Sequence, residues 1–225
     1  GTTGVCANLT INAGASLSIS ATTSNNAQLT ASGSTVISGS LSLGGTIMRT
    51  GKLVVNNITW ASGSTMSGYL NSSIEVSGNW EFASGSSAGM GLSGVLFTGS
   101  TNTMITSNSA SSSFSVVTFG KNSGNTVTIN AASTASLRYG STINIASGNY
   151  LQCPANISVI MAGNLVNAGN FSFSNGTVSL ERTSGTQSIE VNTGDVFYNL
   201  NINTGGTATI NNSLTVMKDL TIQAG

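Results

Sequence analysis

Leu9-Thr10-Ile11-Asn12 returns as Val127-Thr128-Ile129-Asn130, as Leu200-Asn201-Ile202-Asn203 and as Ala208-Thr209-Ile210-Asn211. In each copy two apolar or small residues flank a polar one, the period of a half-buried strand, and the strand closes on an asparagine. Small residues follow, then another strand, as in Asn12-Ala13-Gly14-Ala15-Ser16-Leu17. The same beat runs through the chain: Leu41 with Leu43, Leu53 with Val55, Ile74 with Val76, Trp80 with Phe82, Ile143 with Ile145, Phe171 with Phe173, Val178 with Leu180, Leu214 with Val216.

Between beats lie Gly, Ser, Asn, Thr and Ala, residues that supply tight corners and leave no room for a helix. Short strands separated by such corners predict an all-β fold, a right-handed parallel β-helix (β-solenoid). At three short strands and roughly 20 to 25 residues per coil, the chain makes on the order of ten coils, a rod roughly 45 to 50 Å long. Asn12, Asn130, Asn203 and Asn211 are expected at corners, where Asn tolerates the left-handed conformation and its amide can bond the equivalent Asn above and below.

Residues 1–225 read as a single solenoid segment. Within it, 83–113 loses the clean alternation and is expected to form a less regular coil or loop, with Val95, Phe97 and the pair Met104-Ile105 as its inward points. Alternation turns Trp60, Trp80 and Phe82 inward, so they read as core rather than as a sugar-stacking platform.

Charged residues are 5% of the chain and the net charge is zero, against about 25% charged in an ordinary soluble domain. Hydrophobic residues still make up 39%, enough for a packed core and unlike a disordered chain. The six cations, Arg49, Lys52, Lys121, Arg138, Arg182 and Lys218, are scattered along the sequence, which excludes a nucleic-acid footprint. No apolar run approaches a membrane span. Cys6 and Cys153 read as small buried hydrophobes, with a disulfide as the alternative.

With no histidine, a Ser-His-Asp triad and His metal sites are excluded. Neither a metal nor another cofactor is expected, since the only aspartates are Asp195 and Asp219 and no Gly- and Asp-rich calcium loop occurs. Carboxylate chemistry on a glycan is left to two pairs: Glu75 with Glu81, both turned outward and within pairing distance if their strands stack, and Glu190 with Asp195. Solvated surface charge explains all four more simply. The sequons at Asn8, Asn57, Asn71, Asn156, Asn170, Asn175 and Asn211 match chance for this Ser and Thr content. Thr126 with Thr128 and Thr207 with Thr209 read as isolated pairs rather than the hydroxyl array of an ice-binding face.

The wording of Val5 to Ile19, of Gly185 to Ile189, and of Phe197 to Asn203 on to Leu220-Thr221-Ile222 resembles the repeat-rich, adhesin-like surface proteins of Bacteroidota. That resemblance covers about a third of the chain and specifies a scaffold. It implies an extracellular, cell-surface location, export by the type IX system and membership of a longer polypeptide. The C-terminal sorting domain of such proteins is missing, and the chain stops at Gly225 just after a strand beat, so more solenoid is expected beyond it.

The leading expectation is therefore a structural or adhesive filament or stalk module without catalysis. Its partners would be further copies or neighbouring solenoid segments end to end, and surface glycans. A carbohydrate-binding or carbohydrate-cleaving β-helix is the alternative, and an ice-binding solenoid a further one.

Overall fold

The computed structural model describes residues 1–22, 24–45, 48–69, 71–89, 91, 94–110, 112–131, 136–154 and 156–223. It is a β-solenoid of about nine turns, all-β, with every ladder among the described residues parallel. Nine rises at the strand spacing give a rod on the order of 43 Å.

Three faces stack. The first carries Thr2–Cys6, Ser73–Val76, Gly94–Phe97, Val116–Phe119, Ile143–Ile145 and Leu165–Asn167. The second carries Leu9–Ile11, Trp80–Phe82, Thr103–Ser107, Thr126–Ala131 and Tyr150–Gln152. The third carries Ser16–Ser20, Ser40–Gly44, Thr65–Gly68, Ser112–Phe114, Ser136–Tyr139 and Ser158–Met161. Several strands do not stop at a corner. Ala27–Ile37, Gly51–Trp60, Asn170–Leu180 and Val196–Ile202 each run through one, and the register slips there, between Ala31 and Ser34 or between Phe173 and Thr177. Such a slip is a bulge, which bends a strand without breaking it.

Where the chain does turn sharply, one four-residue turn recurs. Ser64 donates its N–H to Ala61, Ser86 to Ala83, Asn125 to Asn122 and Asn149 to Ala146. The third residue of each, Gly63, Gly85, Gly124 or Gly148, has φ between 74° and 87°, the left-handed value that glycine adopts at no steric cost. Among the described non-glycine residues only Asn71 has positive φ. The left-handed role assigned to asparagine from sequence therefore belongs to glycine.

Alternation holds through the middle of the rod. Ile11, Leu41, Leu43, Leu53, Val55, Ile74, Val76, Val127, Ile129, Ile143, Ile145, Phe171, Phe173, Val178 and Leu180 are all buried. Trp60, Trp80 and Phe82 are fully buried, as alternation required. They begin an aromatic ladder that climbs from the third turn to the sixth. Trp80 meets Trp60 at 5.8 Å and Phe114 at 5.1 Å between ring centroids, Phe97 stacks on Phe119 at 5.4 Å, and Phe114 stacks on Tyr139 at 5.6 Å. A second cluster joins Phe171, Phe173 and Phe197.

Within 83–113, Gly94–Phe97 and Thr103–Ser107 pair in register with turns on both sides. The third face of the fourth turn is reduced to a single bridge, Gly89 to Ser113, beside the buried Ala88. Residues 90, 92, 93 and 111 of that segment lie outside the described residues. Met104, expected inward, is 44% exposed, because Ile105 takes the core position opposite Trp80 and alternation then sends Met104 out. Cys6 lies on the first turn and Cys153 on the seventh, about 29 Å apart at the strand spacing, far beyond the roughly 7 Å Cα reach of a disulfide.

Tyr139 is fully buried with its hydroxyl unpartnered. Burial, and secondarily Cys153, raises its pKa well above 10.0. The raised folded value means that its contribution to stability is complete below about pH 10 and declines above it as the unfolded chain ionises. Tyr139→Phe should raise stability by about 1 kcal/mol at neutral pH by removing an unpaired buried hydroxyl, and should flatten the decline above pH 10 in urea titrations. Trp80→Ala, which empties the centre of the ladder, should cost about 3 to 5 kcal/mol in the same assay.

Candidate functional surfaces

The carboxylates come first, since any hydrolytic reading depends on them. Glu75 and Glu81 do not stack. Their strands are consecutive along the fourth turn and occupy different faces, so the neighbours of Glu75 are Val54 and Leu96 and those of Glu81 are Thr59 and Thr106. No second carboxylate stands directly above or below either. Glu75 instead pairs with Lys52 at 2.5 Å, and Glu81 accepts a hydrogen bond from the Thr59 hydroxyl at 3.3 Å. The condition on which their pairing rested fails because only three residues, 77 to 79, separate the strands, enough for a corner but not for a full turn.

Glu190 and Asp195 do converge, on Asn167. Its backbone N–H donates to Glu190 Oε2 at 2.8 Å and its side-chain Nδ2 to Asp195 Oδ2 at 2.6 Å. Asp195 is 1% exposed. It also accepts from the backbone N–H of Phe171 and of Asn192, each at 2.7 Å, and from Asn170 Nδ2 at 3.4 Å. A carboxylate with this many donors on both oxygens ties the ninth turn to the eighth and has little left for substrate.

Asp195 is one rung of a wider device at the corner between the first and second faces. Asn8 Oδ1 accepts from Ser34 N–H, Asn57 Oδ1 from Asn79 N–H, Asn79 Oδ1 from Met104 N–H, Asn102 Oδ1 from Thr126 N–H and Asn149 Oδ1 from Lys121 N–H, at 2.7 to 3.0 Å. Amides do bond between turns, but to backbone rather than to one another. The four asparagines named from sequence are not in this column. Asn12, Asn203 and Asn211 sit just past strand ends and are exposed, while Asn130 is still within Thr126–Ala131 and its Nδ2 lies 4.0 Å from Met104 Sδ. Asn8, Asn79 and Asn149 each precede the first apolar residue of a second-face strand, and that position was the available signal.

Lys121, read from sequence as one scattered surface charge, is 4% exposed. Its ammonium donates to the backbone carbonyls of Thr98 and Ser77, one and two turns below. Desolvation lowers its pKa from 10.5.

Two surfaces remain open. On the third face the outward residues form a grid: Ser16, Ser40 and Thr65 in one column, Ser18, Ser42 and Ser67 in the next. Thr207 and Thr209 stand over Thr186 and Ser188, so that pair is not isolated; Thr126 and Thr128 stack on Tyr150 and Gln152 instead. The other surface is a polar trough of about 530 Å³ beside the third face of turns six to eight, lined by Arg138, Ser141, Thr142, Asn164, Glu181 and Arg182 among others.

No protein-family model, no curated protein and no solved structure matches the chain.

Asp195→Ala should cost about 3 kcal/mol, because it strands the Phe171 and Asn192 N–H groups in the interior. Glu81→Gln should change stability by less than about 0.5 kcal/mol. Midpoints of urea unfolding decide both.

Proposed function

We propose that the chain is a non-catalytic structural or adhesive stalk module of an extracellular bacterial surface protein. The observation that carries this reading is the use made of the polar groups. Asp195, Glu190 and a column of asparagines join turn to turn, and an aromatic ladder continues the same connection through the core. A rod held in this way at most of its rises resists bending and leaves few edges for a protease. The hydroxyl- and amide-rich surface carries little charge for non-specific capture.

The resemblance to adhesin-like proteins of Bacteroidota supports an outer-surface location and type IX export. Leu220 and Ile222 on the last turn are 51% and 71% exposed. A further turn, from another copy or from a neighbouring segment, would cover them by continuing the ladder that Val196–Ile202 makes with Thr215–Ile222. Solution scattering and electron microscopy of the chain test the stalk: rods or end-to-end fibres with a repeat of about 4.8 Å along the axis are expected, and compact round particles would end the reading.

A second reading, ordering of water at an ice surface, is favoured by the hydroxyl grid of Ser16, Ser18, Ser40, Ser42, Thr65 and Ser67, spaced about 4.8 by 6.6 Å. Thermal hysteresis that disappears in Ser42→Lys would support it, and freezing indistinguishable from that of a control protein would dismiss it.

A further inference from the structure

A chain with twelve charged residues, six of each sign, has few ways to recognise a charged ligand, so the place where its charges gather is informative. Arg138 and Arg182 line the same trough. Of the other four cations, Lys52 is paired with Glu75, Lys121 is buried, Lys218 lies beside Asp219, and Arg49 is half-buried between the second and third turns, away from the trough.

Arg182 is held in place by backbone and amide. Its Nε donates to the Ser184 carbonyl at 3.0 Å and one terminal nitrogen to Asn164 Oδ1 at 3.3 Å. Arg138 reaches across the trough to Glu181 at 3.4 Å, with its own side chain 43% exposed. A contact that long between half-exposed groups contributes little, and no hydrogen bond among the described residues engages the second terminal nitrogen of either guanidinium. Net charge in the trough is thus one positive unit, presented by planar forks suited to an oxyanion.

The floor narrows the ligand class. Gly163 lies against the Ser141 backbone so closely that any Cβ would strike its carbonyl, so two turns meet here as bare backbone beside the trough. Ser141, Thr142, Thr183 and Ser184 add hydroxyls and backbone groups, and no aromatic residue or side chain bulkier than Ala162 supplies an apolar wall. Nucleic acid would call for stacking aromatics and many phosphate contacts; neither exists here. A ligand rich in hydroxyls with an occasional negative charge satisfies both the guanidinium groups and the neutral lining. The trough also runs over three consecutive turns, about 10 Å along the rod, so it suits an extended polymer.

We infer that this trough binds an acidic glycan, its carboxylate or sulfate group held between Arg138 and Arg182. The inference deepens the adhesive part of the reading above, and the two fail separately, since particle shape is judged by scattering and recognition by binding. Glu181 competes with the ligand for Arg138.

Calorimetric titration of the intact chain with polygalacturonate, dextran sulfate and neutral dextran tests it. At least one acidic polymer should bind and weaken with added salt, dextran should not, and the acidic polymer that binds identifies the anionic group. Arg138→Gln and Arg182→Gln should each lose on the order of tenfold in affinity, with unfolding midpoints close to the parent. Glu181→Gln should bind a few-fold more tightly, an outcome that a damaged fold would not produce. Binding to neither acidic polymer, equal binding to dextran, or affinity unchanged in the two arginine variants would overturn the assignment.

Discussion

Parallel strands stacked in register at about 4.8 Å allow no turn to differ from the next in the direction its side chains point. Everything else in this molecule accommodates that requirement. Inward positions are apolar because each lies over another inward position, as Leu53 lies between Leu29 and Ile74. Turns of unequal length are absorbed at the corners: Thr2 pairs with Ala27 but Ser73 with Gly94. The extra residues are small, and where two turns come closest, as at Gly163 over Ser141, there is no room for a Cβ at all.

The same constraint decides how polar groups are used. A corner breaks the backbone ladder, and the freed N–H groups must find acceptors within the rod. Asparagine and aspartate side chains provide them from the adjacent turn, so residues that look like surface decoration in sequence hold the rises together. Asp195 is the extreme case, a carboxylate withdrawn from solvent to serve backbone and amide donors of the turn below. Charges that are not absorbed in this way are so few that their grouping beside Arg182 stands out against a neutral surface.

Much of the fold was legible in the sequence because it depends on alternation, which is local. Trp60, Trp80 and Phe82 could be turned inward from their neighbours alone, and the stacked parallel architecture followed from strand length and corner chemistry. What could not be read was which residues lie above one another, since turn length varies and register is set by the whole stack. Glu75 and Glu81 therefore looked pairable but belong to one turn, while Ser16, Ser40 and Thr65, far apart in sequence, form one column. Met104 and Ile105 offered two phases, and only the partner strand of Trp80 chose between them. The trough was invisible for the same reason: Arg138 and Arg182 are brought together by stacking. Lys121 gave no local sign of burial, because the carbonyls that receive it come from two other turns.

One of these long side chains is anchored on the sixth turn. The buried Lys121 ammonium reaches down past the fifth turn to Ser77 of the fourth. In a one-dimensional array whose units touch only their nearest neighbours, domains of any size can peel away singly from the ends. A tie that skips a layer removes that independence locally, since parting one interface strains the next. The middle of the rod is thereby a clamped block, and tension applied along the axis would unravel the outer layers first and release the centre in a single step.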